Sequence, residues 1–184
     1  MRKLALVASV VLAAGLTLAV AAALANRGNG NHGNNLGAKL NGYQETPAES
    51  TPGHGALRLR IVGGDTIHYV LHYEGFEPAE GSTTAAHIHF GQFGVGGGVI
   101  AFLCGGGDKP TCTDGEGTFE GDIDAADIVG PSVQGIQSGE MAEVIRAMRK
   151  GITYANVHTT LNGAGLIRGQ IRGGHGHGGG GNRR

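Results

Sequence analysis

Hydrophobic and polar residues alternate along Gly55-Ala56-Leu57-Arg58-Leu59-Arg60-Ile61, which puts Leu57, Leu59 and Ile61 on one face of an extended chain. Gly63-Gly64-Asp65 reads as a turn. After it, residues 66–73 alternate again, with Ile67, Tyr69, Leu71 and Tyr73 forming the apolar set. The two runs predict an antiparallel hairpin with one buried face. Shorter strand-like runs lie at 38–42, before the hairpin, and at 86–91, 117–123, 154–160 and 166–171, after it. Residues 98–104 are apolar almost without a break, as in a central strand. The two prolines in 45–52 mark a loop.

One segment keeps a different period. Met141, Val144, Ile145 and Met148 recur at helical spacing, with Glu140 and Glu143 near the start and Arg146, Arg149 and Lys150 near the end. That charge order complements the helix dipole, and Gly151 is placed to terminate the helix. The pattern predicts a mainly β protein: an antiparallel, Greek-key-like β-sandwich with one inserted helix near residues 139–150.

The ends of the chain depart from this alternation. Arg2 and Lys3 precede an apolar run from Leu4 to Leu24, and Ala23-Leu24-Ala25 is a small-x-small motif just before Asn26. Residues 1–25 are expected to be a secretory signal peptide, or a membrane anchor if uncleaved. On either reading the remainder lies outside the cytoplasm: secreted, periplasmic or at the cell surface. Residues 26–37, rich in Asn and Gly, are expected to be a flexible linker. Residues 173–184 form a Gly/His-rich tail expected to be disordered, in which His175 and His177 offer either loose metal storage or solvated side chains. One domain is left, at 38–172.

Composition removes several function classes. The formal net charge is −1, aromatics are few and basic residues are unclustered, so nucleic acid is not an expected partner. Membrane contact is expected only if the signal segment is retained. There is no Gly-x-Ser-x-Gly elbow, phosphate loop or dinucleotide fingerprint. Glycine, at 37 of 184 residues, suits a fold of many turns and bulges. The two cysteines, Cys104 and Cys112, bracket a seven-residue loop, and in an exported protein such a pair is most simply a disulfide.

The candidate chemistry lies in two strands. His87 and His89 share a face, with Ile88 on the other, while His158 shares its face with Tyr154 and Asn156. Three imidazoles from two strands make a nitrogen-only ligand set of the kind copper or zinc favours. Backbone carbonyls or Asn156 would fix the imidazole tautomers. The alternative is that the three rings simply hydrogen-bond across the strands. His68 and His72 fall on the face opposite the apolar set of their hairpin and are expected to be solvated.

Leu40-Asn41-Gly42-Tyr43-Gln44-Glu45-Thr46-Pro47, Ala86-His87-Ile88-His89, and Tyr154-Ala155-Asn156-Val157-His158-Thr159-Thr160 followed by Leu166-Ile167-Arg168-Gly169-Gln170-Ile171 resemble, in that order, the motifs of the CHRD domain. The resemblance implies an extracytoplasmic β-sandwich. A weaker one is carried by His87-Ile88-His89-Phe90-Gly91, similar to the copper-binding His-x-His strand of copper/zinc superoxide dismutases. Gly163-Ala164-Gly165-Leu166-Ile167-Arg168 is similar to that family's approach to its active-site arginine. This second resemblance implies that His87, His89 and His158 are copper ligands and that Arg168 is a catalytic residue attracting superoxide. Between His89 and Cys104 there is no His- and Asp-rich zinc loop, and no fourth histidine ligand is evident, so copper is the expected metal ahead of zinc. The functional expectation is an exported CHRD-domain protein that binds copper and is possible as a superoxide dismutase-like enzyme; the alternative is a metal-free extracellular structural or binding module.

Overall fold

The computed structural model describes residues 33–173. Nine strands and a helix follow in chain order: β1 (Asn35–Asn41), β2 (His54–Val62), β3 (Thr66–Glu74), β4 (Thr83–Phe90), β5 (Gly98–Cys104), β6 (Gly117–Ile123), α1 (Met141–Arg149), β7 (Thr153–Thr159), β8 (Ile167–Gln170) and β9 (Arg172–Gly173). The strands form one antiparallel sheet in the order β5-β4-β7-β8-β1-β2-β3-β6, with β9 along β1. The connections β3 to β4 and β6 to β7 jump across the sheet in Greek-key fashion.

The sheet curls on itself until it is nearly closed. Tyr69 of β3, fully buried, donates its hydroxyl to the carbonyl of Leu103 in β5 at 2.9 Å, so strands near opposite ends of the order meet across the interior. The alternating residues predict this packing. Leu57, Leu59 and Ile61 of β2 and Ile67, Tyr69, Leu71 and Tyr73 of β3 all lie in the core, joined by Ile88, Ile100, Leu103 and Ile123. α1 buries Met141, Val144, Ile145 and Met148, and Gly151, at φ 68°, ends it in the left-handed conformation a glycine adopts freely. Among the described residues α1 is the single α-helix, and no helix is long and apolar enough to cross a membrane.

Cys104 and Cys112 are disulfide-bonded. The loop they close is pinned by Lys109, whose ammonium donates to Asp127 Oδ1 at 2.8 Å and to the Asp122 carbonyl at 3.1 Å and pairs with Asp108 at 2.9 Å.

The linker boundary needs correction. β1 starts at Asn35, so residues 35–37, expected to be flexible linker, are strand. Leu36 continues the alternation of Ala38 and Leu40 and is buried with them, and β2 pairs with the whole of β1. At the other end Gly173, expected in the tail, pairs with Leu36 in β9. The expected signal segment, residues 26–32 of the linker, and His175 and His177 lie outside the described residues.

Candidate metal centre

The period-2 alternation that builds the core also builds the site. In β4, Ala86 and Ile88 are fully buried in the core, so His87 and His89 emerge on the outer face. In β7, Ala155 and Val157 face inward and Tyr154, Asn156 and His158 face outward; in β8, Ile167 is inward and Arg168 and Gln170 outward. Register then sets rows across the three strands: His87 opposite Asn156 opposite Arg168, and His89 opposite Tyr154 opposite Gln170. His158, opposite Ala85 and two residues on from Asn156 along β7, falls on the same face diagonally across from His87. This outer face is largely closed to water, with His87 alone of the three histidines half-buried. Every residue of β7 is buried.

The ligand atoms of His87, His89 and His158 lie within 4.8 Å of one another. Their tautomers follow from their partners. Gly97 O lies 3.0 Å from His89 Nδ1, and Gly163 O lies 3.1 Å from His158 Nδ1. A carbonyl only accepts, so both rings carry their proton on Nδ1 and present the Nε2 lone pair. His87 Nδ1 lies 3.0 Å from His158 Nε2 and must donate to it. Moving that one proton to Nε2 of His87 frees the third lone pair. The lone pairs a metal could then use are those of His87 Nδ1, His89 Nε2 and His158 Nε2. The fit to a metal shows at His89: its Nε2 is buried and has no hydrogen-bond partner. A buried lone pair left so is costly unless something fills the position it faces.

Electrostatics favour the same outcome. Burial, reinforced by the neighbouring His158 and His89, lowers the His87 pKa to about 3. Burial lowers His89 to about 4 despite its bond to Gly97, and burial lowers His158 too. All three rings are neutral at physiological pH and need lose no charge to bind a cation.

Arg168 is 2% exposed. Its Nη2 donates to the carbonyls of Gln92 at 3.0 Å and Val95 at 2.9 Å, and its Cζ stands 3.4 Å above the centre of the Tyr154 ring. These contacts are all with neutral groups, so the guanidinium charge is held in place without being cancelled by direct contact. It is close enough to His89 to oppose that ring's protonation.

Alternation along the chain assigns no role to Glu45. It is buried, and Asn156 Nδ2 donates to its two carboxylate oxygens at 2.8 and 3.1 Å. Burial raises its pKa to about 7, against the pull of Arg168. Gly165, at φ 131°, makes room for this pair: a Cβ there would stand 2.3 Å from Asn156 Nδ2 and 2.6 Å from Glu45 Oε1. Its one mark in the sequence is its place inside the first of the three motifs. Asn156 bonds Glu45 rather than an imidazole, which leaves the tautomers to the two carbonyls. His68 and His72 stay on the outer face of β3, bonded to Asp122 at 2.9 Å and Thr118 at 3.0 Å, away from the triad.

No curated protein matches this chain in sequence. Among solved structures, superoxide dismutase 5 of Candida albicans with Cu(II) is similar to it at 13% identity, over 79% of this chain and 97% of that one, with a TM-score of 0.46. The CHRD domain family matches residues 36–171 and so takes in every strand that carries the site. The chain belongs to the CHRD domain family.

Proposed function

We propose that this CHRD domain is exported, binds one copper ion through His87 Nδ1, His89 Nε2 and His158 Nε2, and acts on superoxide. The observation that carries the metal reading is the buried, unpartnered Nε2 of His89 beside a His158 whose tautomer Gly163 already fixes. Export is supported by the disulfide, which suits an oxidising compartment. A ligand set of three imidazoles suits copper, which when bound supplies one-electron chemistry between Cu(II) and Cu(I).

The chain's own groups have separable tasks. The three histidines are neutral and preoriented, so metal binding needs only the shift of one proton on His87. Arg168, fixed by two loop carbonyls and the Tyr154 ring, provides a positive charge that draws a small anion toward the ligand set. Superoxide disproportionation consumes protons, and Glu45 is a buried carboxyl able to hold one near neutral pH.

The test is metal content with Cu(II) electron paramagnetic resonance on the full chain, produced with copper and zinc both available. One tightly held copper with nitrogen hyperfine structure is expected, and a His87→Ala/His89→Ala double variant should not take it up. Equal copper affinity in that variant would rule out the site. One observation favours a second reading, a metal-free extracellular module: the His87–His158 hydrogen bond already ties β4 to β7. On that reading no stoichiometric metal is found and the variant loses only thermal stability.

A further inference from the structure

Tyr154 touches both the proposed ligand set and the cation. It is 4% exposed on β7, the strand between those of His89 and Arg168. Its ring lies parallel to the His89 imidazole, 4.8 Å away and tilted by 4°, and the Arg168 guanidinium sits against the same ring. Its hydroxyl oxygen accepts the Gly97 N–H at 3.1 Å, and the Gly97 carbonyl is the one that holds His89 Nδ1. Gly97 has no alternative residue, because a Cβ there would lie 1.7 Å from the Phe90 carbonyl oxygen. The same loop supplies the Gln92 and Val95 carbonyls to Arg168. Tyr154 thus contacts His89, Gly97 and Arg168 at once, and Gly97 in turn holds His89.

Each contact has a physical role. The stack and the Gly97 bond together set the angle of the His89 ring. The ring face attracts the guanidinium and holds its plane without pairing it directly to a carboxylate. We infer that Tyr154 is a positioning residue that sets where the Arg168 charge stands relative to the metal ligands, and so governs affinity for a small inorganic anion separately from affinity for the metal. This inference rests on the copper reading above.

The experiment uses the full chain loaded with Cu(II) and titrated with azide, comparing the parent with Tyr154→Leu and Tyr154→Phe. Copper stoichiometry should be unchanged in all three. The azide dissociation constant should rise about tenfold in the Leu variant, which loses the ring face, with an altered Cu(II) paramagnetic resonance spectrum from the released His89. The Phe variant keeps the ring but frees Gly97, so a smaller rise of about threefold with a smaller spectral change is expected. A folded Leu variant with the parent's azide affinity and spectrum overturns the inference. Should the Leu variant not fold, the Phe variant decides by the same two readouts. A parent that takes up no copper removes the metal reading and this inference together, whereas copper uptake with unmoved azide affinity removes this inference alone.

Discussion

His87 and His158 stand 71 residues apart in sequence, yet His87 Nδ1 and His158 Nε2 are 3.0 Å apart. On the proposed metal reading this bond must open first, since it occupies two of the three proposed ligand atoms with a single proton. Replacing His158 by alanine removes a ligand and its stabilising cross-strand bond at once. Copper affinity should fall more than about 100-fold, because even the outer partners of metal ligands cost 10–100-fold when removed. Isothermal titration with a competing chelator measures this, and a fall of less than tenfold would place the metal elsewhere.

Gly165 should be intolerant of any side chain. Gly165→Ala puts a Cβ into both Asn156 and Glu45 at a φ that L residues avoid, so a loss of about 1–3 kcal/mol is expected in urea unfolding. Gly163→Ala, in the same loop with open space around its Cβ, is the control and should be close to neutral.

Stability in acid should follow the histidines. His87 and His89 titrate in the fold at about 3 and 4, below the ordinary histidine value of 6.5. Between those limits the unfolded chain binds more protons, so stability is lost as pH falls from about 6.5 toward 3. A His87→Gln/His89→Gln variant should show a shallower fall of melting temperature across that window, and an equal slope would contradict the burial of these rings.

Glu45 works in the opposite direction. Its pKa is raised from 4.5 to about 7, so the folded chain binds the extra proton and stability declines as pH rises through that interval. Glu45→Gln removes the titration, and its melting temperature relative to the parent should increase between pH 4.5 and 7. Parallel profiles for the two proteins would count against a buried acid.

The disulfide closes a short loop, so replacing Cys104 and Cys112 by alanine should cost about 2–3 kcal/mol on the chain-entropy view. Copper uptake should survive, because neither cysteine contributes to the ligand set. Chemical denaturation and metal content, measured on the same sample, check both statements.

Most of the sheet is legible in the sequence because each strand keeps one face dry, and Leu57, Leu59, Ile61 and Ile67, Tyr69, Leu71 record that directly. The pairing of His87 with His89 is legible for the same reason. That His158 would join them depends on β4 and β7 lying side by side, a fact of topology that alternation does not encode. Leu36 carries the right spacing for β1 but is masked by surrounding Asn and Gly. Glu45 is illegible for a different reason: it is buried by loops folding over the outer face, and loop packing leaves no periodic trace.

β7 is covered on both sides, apolar residues against the core and Tyr154, Asn156 and His158 beneath the loops. A slip of one residue would drive an amide and an imidazole into the hydrocarbon interior while expelling Ala155 and Val157. The histidine triad therefore has no private way to loosen. Its tolerance in ångströms is inherited from the cooperativity of the whole sheet, and the triad should keep its shape until the domain itself melts.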